Sequence, residues 1–147
     1  MAYRGLGRLT ELADTSAWTN RQKDRRVAAD FNGRVERREI ATCEIVVLEL
    51  LWSARDLEQF SRRRRRLEAL QLVEIDSPVW RRATDVFEQL SRRGSLHHRQ
   101  VALPDLLVAA AAELADISVC HYDRGFELIA EVTGQPVRAI APLGSLS

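Results

Sequence analysis

The chain has 147 residues, of which 46% are hydrophobic and 29% are charged, and its formal net charge is +1. These values are ordinary for a folded domain with a hydrophobic core of its own. The densest apolar stretches, residues 45–52 and 106–112, fall well short of the roughly 20 residues that are needed to span a bilayer. The near-zero net charge gives no argument for or against a nucleic-acid partner.

Cysteine spacing and chain composition indicate one cytoplasmic domain. Cys43 and Cys120 lie far apart and outside any CxxC pair, so neither a zinc site nor a disulfide framework is indicated. Residues 1–7 lack the apolar segment of a secretion signal, and we expect a cytoplasmic protein. No repeat or linker divides the sequence. We predict a single domain over residues 1–147, with an N-terminal extension at 1–8 and a C-terminal tail at 143–147.

The first half of the chain predicts two strands and four helices. A short strand ends at Asp14, a helix starts at Thr15, and a polar helix follows over residues 24–36. The apolar run at 40–42 predicts a buried strand, and a strongly apolar helix follows over 44–55. Residues 57–70 form the next helix, with Leu57, Phe60 and Leu67 on one side.

The second half continues the alternation of strands and helices. A strand is predicted at 73–75, and Ser77 with Pro78 predicts the capped start of a helix that ends at Arg93. A loop over 95–103 leads into an alanine-rich, buried helix over 104–115. A strand at 117–120, a helix over 124–133 that Gly134 closes, and a strand at 137–140 complete the chain. Short apolar strands alternating with helices predict a three-layer α/β fold with a central parallel sheet flanked by helices.

Arginine supplies almost all of the positive charge, and Lys23 is the only lysine. The five consecutive arginines at 62–66 spread over more than one helical turn. We interpret them as a solvated helix face, with Arg64 on the same side as the apolar residues. A role in contacting phosphate groups is the second interpretation.

Glu49 is the most unusual residue of the apolar helix, because its neighbours in residues 45–52 are apolar. Burying a carboxylate without a partner costs free energy. Two explanations are open: an ion pair with an arginine, or a bound cation.

Three aspartates lie at predicted helix starts. Asp14 and Asp123 each follow a strand and precede a helix, and Asp105 is in the first turn of the alanine-rich helix. Each of them could simply cap a helix. However, ligand sites of open parallel sheets lie beyond the carboxyl ends of the strands. If the three aspartates meet Glu49 there, the four carboxylates would require Mg²⁺ or Mn²⁺ to balance their charge. Such a site could activate water for phosphodiester hydrolysis.

Four segments resemble the PIN-domain toxins of the VapC type, from type II toxin–antitoxin pairs, over about residues 12–142. They are residues 14–17 (DTSA), 41–55 (ATCEIVVLELLWSAR), 103–110 (LPDLLVAA) and 121–130 (HYDRGFELIA). The resemblance implies a PIN-like fold and a Mg²⁺- or Mn²⁺-dependent endoribonuclease. It also implies that a cognate antitoxin binds the protein and that the chain forms a homodimer. The matching positions of the metal-site acids are Asp14, Glu49, Asp105 and Asp123, and Thr15 and Ser16 would support them through hydrogen bonds.

Two features depart from this family pattern. Gly125 replaces an acid that many members carry, which predicts that a second metal ion binds weakly or only with RNA present. The first strand carries Thr10 and Glu11 where the family is usually apolar.

Three further residues are candidates for contact with RNA. His98 and Arg99 belong to the loop before Asp105, and Arg55 follows the helix that carries Glu49. An alternative function is a PIN-fold regulatory or RNA-binding module that has weak or no catalysis, which Gly125 favours. A receiver-like phosphoacceptor domain is a third option, but it requires a lysine late in the chain, and Lys23 does not fit.

Overall fold

Five short parallel strands form the central sheet of the computed structural model, which describes residues 10–94 and 97–147, with positions 97 and 98 through their backbone alone. The predicted three-layer α/β fold is confirmed. The proposed N-terminal extension, residues 1–8, lies outside the described residues.

The sheet has the spatial order β3-β2-β1-β4-β5. Its strands are β1 (Glu11–Ala13), β2 (Ile40–Thr42), β3 (Gln71–Leu72), β4 (Ser118–His121) and β5 (Val137–Ala139). The helices of the described part are α1 (Thr15–Asn20), α2 (Arg25–Glu36), α3 (Glu44–Trp52), α4 (Leu57–Glu68), α5 (Ser77–Arg92), α6 (Leu103–Leu114) and α7 (Arg124–Thr133), with 3₁₀ turns at Arg21–Lys23 and His97–Gln100. Because Ala13 of β1 pairs with Cys120 of β4, the carboxyl ends of these two central strands lie side by side.

Most predicted elements occur within one to three residues of their predicted bounds, but the third strand does not. The strand predicted at 73–75 is wrong, because β3 spans Gln71–Leu72 at the edge of the sheet. Both of its residues are exposed, so no alternation of buried and exposed residues marks it. Val73 is buried beside it and donates its N–H to the Thr42 carbonyl at 2.8 Å.

Aspartates cap five of the seven described helices through hydrogen bonds from backbone N–H groups. These residues are Asp14, Asp24, Asp56, Asp76 and Asp123. The prediction that Ser77 caps α5 is therefore wrong: Asp76 accepts from the Val79 N–H at 3.3 Å, and Ser77 is the first helical residue. Helix α6 has no side-chain cap.

The hydrophobic core includes most of the alanine-rich helix α6, as predicted. Both cysteines also lie in the core, and they are not bonded to each other. Burial raises the pKa of Cys43 and of Cys120 to about 12, which keeps both thiols protonated at neutral pH.

Glu11 is buried in the central strand β1 and forms ion pairs with arginines from two other elements. Its Oε1 atom lies 3.0 Å from Arg34 Nη2 of α2. Arg138 of β5 forms a bidentate pair with it, at 2.9 and 2.8 Å. A charged residue is therefore tolerated in this strand because two guanidinium groups neutralise it.

The side chains of the five arginines at 62–66 differ in their surroundings: some extend into solvent and others contact neighbouring helices. Arg64 lies on the same side of α4 as Leu67, as predicted, and lines a groove with Val47 and Leu70. Its guanidinium is exposed and pairs with Glu68 at 2.8 Å. Arg63 lies against α3, where its Nη1 atom donates to the Leu50 carbonyl at 2.7 Å.

Large apolar side chains remain exposed on the outer helices. Of the three tryptophans, Trp18 is in the core, whereas Trp52 is 90% exposed and Trp80 is 57% exposed. Leu48 lies one turn before Trp52 on the same face of α3 and is also exposed. We call Leu48 and Trp52 the α3 apolar face. Within the described ranges, no helix has both the length and the hydropathy to cross a bilayer.

Candidate metal centre

Asp14 lies at the carboxyl end of β1 and begins α1. Its Oδ2 atom accepts a hydrogen bond from the Ser16 N–H at 2.9 Å. The side chain is buried, and burial raises its pKa, with a smaller contribution from the charge of Asp123, while hydrogen bonds from Ser16 act in the opposite direction. The capping hydrogen bond satisfies one oxygen of this carboxylate, but it does not remove the free-energy cost of burying the charge.

Asp123 occupies the equivalent position after β4, at the start of α7. Its Oδ1 atom accepts from the Gly125 N–H at 2.8 Å. The Asp14 N–H donates to the Cys120 carbonyl at 2.9 Å, which fixes the two strand ends against each other. Both aspartates therefore lie beyond strand ends, as predicted, and the structure shows that these two strands are neighbours.

Asp105 differs from these two residues because it does not act as a helix cap. It lies in the first turn of α6 and is 7% exposed, and no donor within the described residues reaches its buried Oδ2 atom. Burial, the largest effect, and the charges of Asp14, Asp123 and Glu49 together raise the pKa of Asp105 to about 8. Among the described residues, no donor reaches the buried Oδ2 atom to offset the charges of these three acids.

Glu49 is half-buried on α3 and accepts a hydrogen bond from Thr15 Oγ1 at 2.8 Å. In the described part of the chain no arginine forms an ion pair with it. The ion-pair explanation for this residue is therefore not supported. Its helix is also less enclosed than its composition suggests, since the α3 apolar face is exposed.

Thr15 and Ser16 connect the acid-bearing elements through hydrogen bonds. Thr15 joins the start of α1 to Glu49 of α3. The Ser16 hydroxyl accepts from the Tyr122 N–H at 2.9 Å, which joins α1 to the segment before Asp123. The Thr15 hydroxyl therefore contacts Glu49 directly, whereas the Ser16 hydroxyl fixes the backbone of the segment before Asp123.

His121 is part of the site, but sequence reasoning gave it no role. It is fully buried, its Nδ1 atom accepts from the Asp123 N–H at 3.1 Å, and its Nε2 atom lies 3.1 Å from Glu127 Oε2. This pattern places the proton of the neutral ring on Nε2, which donates to Glu127. Burial lowers the pKa of His121, against the raising effect of Glu127. A histidine two residues before a strand-end acid was the available signal.

The family model for the PIN domain matches residues 12–132 of this chain. The match contains all four acids.

The chain belongs to the PIN-domain family and is of the VapC type.

Similar proteins agree with this assignment. Ribonuclease VapC18 of Mycobacterium tuberculosis is 35% identical over 133 residues, which cover 90% of this chain and 96% of that protein. Ribonuclease VapC21 of the same species is 41% identical over 112 residues, with coverage of 76% and 80%. A toxin–antitoxin complex from Klebsiella pneumoniae has a TM-score of 0.66 at 19% identity, over 90% of this chain and 98% of that chain, and shows the same fold.

Gly125 of this VapC-type chain lies between two of the acids. A Cβ atom at this position would lie 3.0 Å from Asp105 Oδ2 and 3.2 Å from Asp123 Oδ1. Glycine has no Cβ atom, so the two carboxylates can lie this close to the start of α7. A larger residue would force the carboxylates to shift. The same distances show that Asp105 and Asp123 approach each other closely.

The candidate RNA-contact residues are further from the acids of the VapC-type site. Arg99 is exposed in the turn His97–Gln100, and the following Val101 Cα would lie 3.8 Å from a Cβ atom at position 125. This turn therefore leads directly to the acidic cluster. Arg55 is exposed after α3, and its N–H donates to Gln59 Oε1 at 2.7 Å. The side chain of His98 lies outside the described residues.

The donor set of the four acids fits a hard divalent cation. All of the side-chain ligands are carboxylate oxygens, and the buried Asp105 Oδ2 atom lacks a donor. Within residues 10–94 and 97–147, no three acidic, histidine or cysteine side chains already have the spacing of a coordinated ion. The four carboxylates thus interact through their charges, without a preformed coordination geometry.

Proposed function

We propose that this protein is a Mg²⁺- or Mn²⁺-dependent endoribonuclease and the toxin of a toxin–antitoxin pair. The relatives named ribonuclease VapC support the RNA-cleaving activity. The observation that carries the metal dependence is Asp105, a buried carboxylate that has no donor at Oδ2 and is surrounded by three further acids. A divalent cation would stabilise such a cluster.

Asp14, Glu49, Asp105 and Asp123 would hold the ion. When bound, the ion would activate water and offset charge on the phosphodiester during in-line attack. Other groups of the protein orient these four acids. Thr15 orients Glu49, and backbone N–H groups of Ser16 and Gly125 orient Asp14 and Asp123. His121 fixes the turn before Asp123 through its Nδ1 atom.

The test is cleavage of RNA by purified protein that is free of antitoxin. Mn²⁺ or Mg²⁺ is expected to stimulate cleavage of single-stranded or structured RNA, and Asp14→Asn and Asp105→Asn are expected to lose at least 100-fold in rate. Asp85→Asn, an exposed acid on α5, is the matched control and should cleave like the wild type. Absence of cleavage of every RNA class, with a close relative active in the same assay, would refute the enzymatic role.

We also propose an antitoxin and a second copy of the chain as protein partners. The α3 apolar face supports this, because a side chain as large and exposed as Trp52 is typical of an interface. The solved complex from Klebsiella pneumoniae contains a toxin with its antitoxin, and we extend that association to this chain. Co-purification with the product of a neighbouring gene tests it.

A second candidate function is a PIN-fold regulatory or RNA-binding module without catalysis. Gly125 favours it, because it removes a carboxylate from the cluster. Calorimetric titration with Mn²⁺ separates the two functions. Binding that Asp105→Asn abolishes supports the nuclease, and no binding by the wild type supports the module.

A further inference from the structure

A cavity of about 290 Å³ is lined by both polar and apolar side chains and carries positive charge on its wall. The end of α1 with its following turn, the end of α3, and α4 enclose it. Three guanidinium groups line this cavity, those of Arg21, Arg63 and Arg66, and no acidic residue does. We call it the arginine cavity.

The three arginines are held in position by neutral groups. Arg21 is 8% exposed, its Nε atom donates to Asn32 Oδ1 at 3.1 Å, and its guanidinium lies 5.1 Å from the centroid of the Trp18 ring. The Arg66 guanidinium lies 5.5 Å from the same ring. Arg63 Nη1 donates to the Leu50 carbonyl and to Ser53 Oγ, each at 2.7 Å.

The positive charge of the arginine cavity has no balancing anion. Within the described residues, none of the three arginines forms a salt bridge. Burial lowers the pKa of Arg21, and the positive charge of Arg66 lowers it further, which means that the two cations repel each other. Three cations close together around a cavity repel one another, as the four acids do. A bound anion would reduce the repulsion between the arginines.

The arginine cavity lies one helical turn from the acidic cluster. Thr15 and Glu49 join α1 to α3 by a hydrogen bond at the edge of the cluster. Thr19 and Ser53, each four residues further along these helices, line the cavity. The separation along the helices is thus about 6 Å.

We propose that the arginine cavity binds a backbone phosphate of the RNA strand whose neighbouring phosphodiester lies at the acidic cluster. Guanidinium forks match the geometry of phosphate oxygens, and a strand that crosses the cluster must bring further phosphates close to it. The proposal rests on the nuclease function for the identity of the strand. It also assigns a role to two of the five consecutive arginines, Arg63 and Arg66.

The test compares arginines of one helix that line the cavity with arginines that do not. Arg66→Gln and Arg63→Gln change the cavity, whereas Arg62→Gln and Arg65→Gln remove the same charge from positions that do not line it; Arg62 and Arg65 are exposed, as Arg66 is. Affinity for a fluorescein-labelled single-stranded RNA is measured by anisotropy in EDTA, so that metal-dependent cleavage does not interfere. Thermal melting of each variant checks folding, and Arg66→Gln is the safer variant because Arg63 also bonds to α3.

Each cavity variant is expected to raise the Kd for RNA roughly tenfold and to lower the slope of log Kd against log salt by about 0.7. The two controls should change the Kd less than twofold. Inorganic phosphate should raise the melting temperature of the wild type and of Arg65→Gln more than that of Arg66→Gln. Equal RNA affinity of cavity and control variants would overturn the proposal. So would a loss of antitoxin binding with unchanged RNA binding, which would make the cavity a protein-binding site.

Failure of this proposal is distinguishable from failure of the nuclease function. RNA binding that depends on Arg66, without cleavage in Mn²⁺ or Mg²⁺, supports the cavity and refutes the nuclease. Cleavage that is metal-dependent, with RNA affinity indifferent to Arg63 and Arg66, supports the nuclease and refutes the cavity.

Discussion

Asp105 is held in a position that costs free energy when its carboxylate is ionised. Asp14 and Asp123 each accept a backbone N–H, but the buried Oδ2 atom of Asp105 has no donor among the described residues. Burial, the largest effect, and three neighbouring charges raise its pKa to about 8. Folding of the metal-free protein therefore takes up a proton at this residue between about pH 4 and pH 8.

We predict that Asp105→Asn stabilises the protein in EDTA, and that it does so more at pH 8 than at pH 5. A folded-state pKa above the unfolded value means that the wild type loses stability as the pH rises through this window, whereas asparagine does not titrate. The expected gain at pH 8 is on the order of 2 kcal/mol. Urea unfolding at the two pH values measures it.

Asp85→Asn is the control for this prediction, because its carboxylate is exposed on α5. A gain from Asp105→Asn that is equal at both pH values, or no gain at all, would show that charge at position 105 is not the cause.

The acids of the candidate site were predictable from sequence, but several of their supporting contacts were not. Asp14 and Asp123 lie one and two residues beyond the ends of their strands, and parallel strands bring such residues to one edge of the sheet. His121 shows no comparable pattern, since its role depends on which ring nitrogen faces the Asp123 N–H. The arginine cavity also depends on side-chain direction, because five consecutive identical residues do not indicate which of them face inward.

At the scale of elements, β1 is a three-residue strand that must hold the first acid of the site. Backbone pairing to β2 and β4 aligns it, and its buried Glu11 connects it to Arg34 of α2 and Arg138 of β5. The strand is short and carries polar residues, so its hydrophobic pattern is weak. The position of β3 was predicted wrongly for a similar reason, because this strand is short and exposed. The predicted bounds of the apolar strands and of the helix from Arg124 to Thr133 were close to the observed ones.

We predict that Glu11→Gln destabilises the protein by roughly 3 kcal/mol, because it leaves two guanidinium groups without their buried partner. Glu68→Gln breaks the exposed pair with Arg64 on α4 and should cost less than about 0.5 kcal/mol. Chemical unfolding of both variants compares a buried with an exposed ion pair. Equal effects would indicate that solvent screens the pairs of Glu11 as fully as an exposed pair.

At the scale of the whole molecule, the order of the strands assembles the site from distant parts of the sequence. The neighbours β1 and β4 are separated by more than 100 residues, and α3 and α6 contribute Glu49 and Asp105. Helix periodicity and strand alternation predicted the layers. Neither predicted which apolar side chains stay outside, since Trp52 and Trp80 are as apolar as the buried Trp18.

We predict that Trp52→Ser weakens self-association of the chain, because Trp52 is 90% exposed on the α3 apolar face. In the proposed homodimer, the loss of this aromatic side chain is expected to raise the dimer dissociation constant by at least tenfold. Trp80→Ser, on α5, removes an exposed tryptophan from another surface and is the control. Analytical ultracentrifugation over a range of concentrations measures both. A dimer that persists in Trp52→Ser and dissociates in Trp80→Ser would place the contact on α5.

The enclosed thiols of Cys43 and Cys120 have a practical consequence for labelling. Since both are buried and protonated at neutral pH, a maleimide dye should ignore them in the folded protein. A cysteine introduced at Arg99, in the exposed turn before α6, would then be the sole attachment point. A fluorophore there would report directly on whether a nucleic-acid strand reaches this turn.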